Sequence, residues 1–167
     1  MNKTQFIREL QRELGNDVTS RQAEHALNAV LETIARAVRS RADEAAAVRA
    51  TEGDVHQILY NLMENGVKYT APGGFVHTSV SVEEGRVVIT VSDNGIGIPA
   101  EDMPHIFERF YRVDKARSRQ IGGTGLGLSI VGDTVQRRGG EIGVAPRKGG
   151  GTVFTVSFPQ AEPEVTA

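Results

Sequence analysis

The sequence predicts an α+β protein: a helical hairpin over residues 1–44, a domain of mixed strands and helices over 45–160, and a frayed tail over 161–167. Three observations carry this reading. Gly15 is the sole glycine before residue 45, of 19 in the chain, so the texture changes there from helical to turn-rich. Residues 75–83 and 86–93 alternate apolar and polar positions around Glu84-Gly85, the pattern of a β-hairpin. Helical periodicity then returns over 124–138, between strand-like runs.

Taken in order, Asn2 caps a first helix with Phe6, Ile7, Leu10 and Leu14 on one side, and Gly15-Asn16 ends it. Thr19 and Gln22 form a capping box for a second helix. Its stripe is Ala23, Ala26, Leu27, Val30, Leu31, Ile34 and Val38, and both helices need a partner surface. Residues 46–50 read as a short strand. Glu52-Gly53-Asp54 reads as a turn and cap opening a helix through about Tyr69, which Thr70-Ala71-Pro72-Gly73-Gly74 breaks. After the hairpin, residues 100–123 are charged and irregular apart from a short helix expected at 103–107. The helix over 124–138 stops at Gly139-Gly140, and strands at 141–145 and 152–158 flank a glycine-rich turn.

Composition excludes several classes. The chain has 167 residues, enough for one ample domain or one domain with a helical appendage. A net charge of −2 gives no bulk field for nucleic acid or an anionic membrane. The absence of cysteine removes disulfides, thiolate nucleophiles and Cys-ligated zinc. No apolar run approaches the ~20 residues of a membrane span, and no apolar signal core follows Met1. The expectation is a cytoplasmic protein, or a soluble piece of a larger one.

Four motifs carry chemistry. On the helix ending at Tyr69, Asn61, Asn65, Lys68 and Tyr69 share a face, opposite the core stripe Val55, Ile58, Leu59, Leu62 and Met63. Asparagine is a poor helix former, so a solvated polar face competes with a functional one. Neutral amide oxygens suit a Mg²⁺ that already holds triphosphate oxygens, and Lys68 adds a point charge for phosphate. The second motif is Asp93-Asn94-Gly95-Ile96-Gly97-Ile98-Pro99. A carboxylate at a buried strand end can accept from an exocyclic amine, and glycines beside it admit a flat ring, although such a sequence also marks ordinary turns. Third, Ile106-Phe107-Glu108-Arg109-Phe110-Tyr111-Arg112 offers forked arginine donors beside aromatics, or a local plug with snorkelling arginines. Fourth, Gly122-Gly123-Thr124-Gly125-Leu126-Gly127-Leu128-Ser129 runs into a helix, leaving amides free to wrap phosphate oxygens. It lacks both the Rossmann spacing and the Gly-Lys-Ser/Thr ending of a P-loop.

The four motifs in this order resemble the catalytic ATP-binding domain of sensor histidine kinases, which shares the Bergerat fold with gyrase B, the Hsp90 chaperones and MutL. The resemblance covers residues 46–158, with 61–69 as the N box, 93–99 as G1, 106–112 as F and 123–128 as G2. It implies a two-layer α/β sandwich, a mixed sheet covered by helices on one face. It also implies roles. Asn65 would hold Mg²⁺, supported by Asn61; Lys68 and Arg112 would meet the terminal phosphates; Tyr69 would pack beside the base. Asp93 would accept from adenine N6, with Gly95 and Gly97 beside the ring. Gly125, Leu126 and Gly127 would present amides to the phosphates, and Ile98, Thr124 and Leu128 complete the implied ATP-binding set. Residues 100–123 would form a mobile lid. Gly66 stands where the family often has alanine, at roughly 1 kcal/mol of helix propensity. The family's additional strand, before the one ending at Gly53-Asp54, has no counterpart, since the helical region stands in its place.

Hydrolysing relatives place a glutamate one turn before the magnesium asparagine. Here that position is Asn61, a poor base, and Glu64 is read as lying on a different face. The expectation is a protein histidine kinase, ATP- and Mg²⁺-dependent, in a bacterial two-component system with a response regulator as further partner. A phosphoacceptor hairpin would begin with histidine and an acidic residue. None of His25, His56, His77 and His105 sits in such a run, so autophosphorylation by this chain alone is not expected. Residues 1–41 resemble the opening hairpin of HU-family DNA-binding proteins, through Met1-Asn2-Lys3-Thr4, Phe6-Ile7 and the run 23–34. Without a basic arm, a homodimer through residues 1–44 is favoured over nucleic acid. Two alternatives stay open: a DNA-associated or scaffold protein switched by ATP, and an anti-sigma-type serine kinase of the same fold.

Overall fold

The computed structural model describes residues 47–48, 50–71, 73–113 and 125–161. The expected N-terminal hairpin, the HU-like resemblance, Thr124 and residues 114–123 of the expected lid lie outside them.

Strand β1 (Ala47–Val48) precedes helix α1 (Glu52–Tyr69). The cap of α1 is Thr51, one position before the expected turn. Its hydroxyl accepts from the Asp54 amide at 3.2 Å while the Asp54 carboxylate accepts from the Thr51 amide at 2.9 Å, a reciprocal capping box. Strands β2 (Val76–Glu83) and β3 (Arg86–Asp93) pair in register from Val76 opposite Asp93 to Glu83 opposite Arg86. The hairpin is closed by Glu84 and Gly85, both at positive φ, as a tight two-residue turn requires. The short helix expected at 103–107 is absent; residues 100–107 form successive turns instead, with His105 N–H bonded to the Asp102 carbonyl and Glu108 N–H to that of His105. Pro104 interrupts the stretch and removes one amide donor, so a continuous ladder does not form. Helix α2 is Gly127–Arg137, beginning three residues later than expected. Strand β4 (Glu141–Pro146) turns back into β5 (Thr152–Ala161), which runs three residues past its expected end at Phe158.

The sheet runs β2-β3-β5, and both β4 and β1 pair with β5. All pairings among the described residues are antiparallel, which corrects the expectation of a mixed sheet. The reason is topological. After α2, β4 runs in the same direction as β3, but β5 folds back between them and is antiparallel to both. Both helices lie against one face, giving the expected two-layer sandwich. Val87, Ile89 and Val91 of β3 and Phe154, Val156 and Phe158 of β5 alternate into that layer. Val55, Ile58, Leu59 and Leu62 meet them from α1, with Val131 and Val135 from α2. Gly66 is buried where α1 crosses β2, and a Cβ there would lie 2.9 Å from a Val76 methyl. The propensity cost read from the sequence is thus offset by close helix–strand packing.

Candidate functional site

The polar face of α1 borders a cavity of about 630 Å³ between the helices and the ends of β3 and β5. Burial of the opposite stripe fixes which face this is. Asn61, Asn65 and Lys68 line the cavity, and Glu64 lines it with them. The expectation that Glu64 lies on another face is therefore corrected. It sits three residues after Asn61 and four before Lys68, both same-face spacings. Burial raises the Glu64 carboxyl above its ordinary range. One turn earlier, Tyr60 is pushed up to about 12 by burial and then by the Glu64 charge. Asn61 is held in place: its amide donates to the Gln57 carbonyl at 2.8 Å, and its Oδ1 stands 2.9 Å from where a Cβ on Gly127 would be. The Asn65 side chain makes no hydrogen bond among the described residues, so its amide oxygen is available to the cavity.

Strand β3 delivers Asp93 to the far wall, 6% exposed. Its Oδ1 accepts from the Gly95 amide at 2.8 Å and from the Thr152 amide at 3.3 Å. The other oxygen makes no hydrogen bond among the described residues and can accept from a ligand. Two close backbone approaches surround it. A Cβ on Gly95 would collide with the Tyr69 carbonyl, and one on Gly151, at φ +98°, with the Asp93 carbonyl. Gly95 does not itself line the cavity; its missing Cβ serves the contact with α1. Gly97, Ile98 and Pro99 continue the wall.

The third wall comes from the turns after Pro99. Tyr111, Arg112 and Val113 line the cavity. Tyr111 donates to Asp102 at 2.5 Å, and this bond, followed by burial, raises its phenol. Phe110 has φ +66° and is 70% exposed; its amide donates to the Gly125 carbonyl at 2.9 Å. That bond joins residues on either side of 114–124. Gly125, Leu126, Gly127 and Leu128 close the fourth wall. Leu126 at the N-cap of α2 has no side chain that can cap it, and the first amides of the helix have no partner within the helix and lie at its positive end.

The structure thus brings together Asn61, Asn65, Lys68, Tyr69, Asp93, Gly97, Ile98, Arg112, Gly125, Leu126, Gly127 and Leu128 around one cavity. Thr124 lies outside the described residues. None of His56, His77 and His105 lines the cavity, and His105 is bonded to Glu108 at 2.7 Å. The sequence reading missed Thr152, which braces Asp93 from 59 positions away; the run Gly149-Gly150-Gly151 before it was the available signal.

The arrangement can hold a flat ring against Asp93 and an anionic chain between Lys68, Arg112 and the start of α2. Residues 50–162 match the model of the family described as histidine kinase-, DNA gyrase B-, and HSP90-like ATPase. The sensor histidine kinase WalK of Bacillus subtilis is 43% identical over 75% of this chain and 21% of its own length. YkoH of the same organism is 44% identical over 69% and 25%. This chain therefore spans about a quarter or less of these relatives. Among solved structures, the mycobacterial sensor histidine kinase MprB is 27% identical at a TM-score of 0.58, covering 68% of this chain and 75% of that one. Full-length ShkA in complex with AMPPNP is 34% identical at 0.58, covering 81% of this chain and 30% of that one. The chain belongs to the histidine kinase-, DNA gyrase B- and HSP90-like ATPase family.

Proposed function

We propose that the chain is the ATP-binding catalytic part of a bacterial two-component sensor histidine kinase. It binds Mg²⁺–ATP and donates the γ-phosphoryl group to a histidine on a separate helical hairpin, from which a response regulator would take it. The observation that carries this reading is the convergence of four distant segments on one cavity: an amide-rich helix face, a buried strand-end carboxylate, an arginine and a glycine-rich helix start. Phosphoryl transfer needs little from the protein beyond positioning and charge stabilisation, which is what these groups offer. The similarity to named sensor histidine kinases supports the same reading. Among the described residues no helix is long and apolar enough to cross a membrane. We place the reaction in the cytoplasm, where ATP is supplied.

Asp93 accepts from the adenine amine. Lys68 and Arg112 face the outer phosphates, and the amides of Gly125, Leu126 and Gly127 meet phosphate oxygens. The donor set suits Mg²⁺: Asn65 offers a neutral, unengaged amide oxygen beside the phosphate-facing Lys68, as a hard ion already sharing phosphate oxygens requires. When bound, the ion neutralises charge developing on the phosphates. Asn61, fixed against Gly127, keeps the phosphate end narrow.

The deciding measurement is ATP affinity of the wild type and Asn65→Ala, with and without Mg²⁺. Asn65→Ala is expected to lose about tenfold or more in the presence of Mg²⁺ and little in its absence. Unchanged binding with Mg²⁺ would sink the assignment. With labelled ATP, the purified chain is expected to label a supplied phosphoacceptor hairpin and not itself; rapid steady hydrolysis would contradict the kinase reading.

A further inference from the structure

Two walls of the cavity are joined by a side-chain bond with no role so far. Pro99 and Tyr111 both line the cavity, and the chain between them turns away and comes back. Asp102 sits early in that excursion. Its amide donates to the Pro99 carbonyl at 3.0 Å, and its half-buried carboxylate accepts from the Tyr111 hydroxyl at 2.5 Å. Other bonds locate the backbone at Tyr111. Its amide donates to the Glu108 carbonyl at 3.3 Å, and the neighbouring Phe110 amide to that of Gly125 at 2.9 Å. Those bonds leave the direction of the ring open. A tyrosine side chain turns about two bonds, and a hydrogen bond at its far end fixes both. Among the described residues, Asp102 makes the only hydrogen bond to the Tyr111 side chain. The ring also packs on the core and lies 5.5 Å from the His105 ring.

We infer that Asp102 is a positioning residue for nucleotide binding: its carboxylate turns the Tyr111 ring so that it stands as a wall of the cavity. The inference rests on the proposed nucleotide site. Asp102 does not itself line the cavity, so it acts through Tyr111. The physical content is pre-organisation. A partly exposed ring that is free to rotate must be ordered when a ligand arrives, and ordering one such side chain costs about fivefold in affinity. The Asp102 bond places the ring during folding, before any ligand is present. That bond, followed by burial, raises the Tyr111 phenol above its ordinary value of 10.0, so the donor keeps its proton at neutral pH. The amide oxygen of asparagine, nearly the same in shape, could replace the carboxylate as acceptor; alanine could not.

The test measures Mg²⁺–ATP affinity of the full chain. Tyr111→Phe keeps the ring and loses the donor, and is expected to bind about fivefold more weakly than the wild type. Asp102→Ala and Asp102→Asn remove the same charge, so their difference reports the acceptor alone. Asp102→Asn is expected to bind about fivefold more tightly than Asp102→Ala. With Asp102→Ala already present, Tyr111→Phe should cost nothing further, because the two groups act as one bond. A bond that only stabilised the fold would lower the melting temperature without nucleotide and leave the affinity of the folded protein unchanged. The inference is overturned if Tyr111→Phe binds as the wild type does, if Asp102→Asn is no better than Asp102→Ala, or if Tyr111→Phe costs as much with Asp102→Ala as without it. A loss in His105→Ala with none in Tyr111→Phe also overturns it and assigns the ring to the His105 stack. Asn65→Ala separates the two levels. If the wild type binds ATP and Asn65→Ala loses it while Tyr111→Phe is unchanged, the inference alone fails; if the wild type does not bind ATP, the site reading and the inference fail together.

Discussion

At the scale of single residues, the site depends on atoms that are missing as much as on those present. Gly151 combines φ +98° with a backbone approach to Asp93 and Asn94 that leaves no room for a methyl group. Alanine there must both adopt a strained backbone and push the Asp93 carbonyl away. Gly151→Ala is expected to destabilise the fold by about 2–4 kcal/mol, read by urea denaturation, and to weaken ATP binding in the protein that remains folded. Gly143→Ala makes a control, because a Cβ at Gly143 meets nothing within 4 Å and its φ is not positive. The contrast also explains what could be read beforehand. Asp93 was legible because its glycines follow it directly in sequence. Thr152 and Gly151 were not, because their relation to Asp93 arises only when β5 inserts beside β3. Glu64 is hidden for a different reason: its spacing to its immediate neighbour Asn65 points it elsewhere, and only its spacings to Asn61 and Lys68 put it on the cavity.

Among the elements, helix ends do more than terminate helices. Asp54, third residue of α1, bonds Thr51 and also pairs with Arg138 at 2.7 Å, where α2 ends. One carboxylate therefore caps one helix and neutralises the cation at the end of the other. Burial raises its pKa, but the Thr51 bonds and the Arg138 charge outweigh that and hold it below its ordinary value of 3.8. A depressed carboxyl stabilises the fold above its unfolded pKa, and the contribution is lost as pH falls through the folded value. Asp54→Asn is expected to cost about 1 kcal/mol near neutrality. The gap between the two proteins should begin to narrow as pH falls below about 4, the unfolded carboxyl's pKa, and close once pH has passed the lower folded value. A gap independent of pH would show that the charge contributes nothing. The long elements were legible because one face of each is apolar with a clean period: α1, β2, β3 and β5 all appear where alternation or helical spacing placed them. Residues 100–107 were not, because their turns are set by contacts such as Tyr111 with Asp102, which local periodicity does not encode.

At the scale of the whole molecule, the cavity is a seam. Its walls come from α1, the exit of β3, the turns after Pro99, the start of α2 and the start of β5, so no single element owns it. A nucleotide seated there would bind only the assembled fold and would cross-link parts of the chain that separate on unfolding. Binding to the native state alone stabilises it by an amount set by mass action, about 2.7 kcal/mol at a hundred times the dissociation constant. With an unfolding entropy of about 2.1 cal/mol/K per residue, that corresponds to a rise in Tm of roughly 8–11 °C for a folded unit of this size. Mg²⁺–ATP is expected to produce such a rise in the wild type. Asn65→Ala should show little of it at the same concentration. The comparison distinguishes a seam closed by its ligand from a preformed core indifferent to it. If saturating Mg²⁺–ATP leaves the melting curve of the wild type unmoved, these walls do not form a nucleotide site in the native protein.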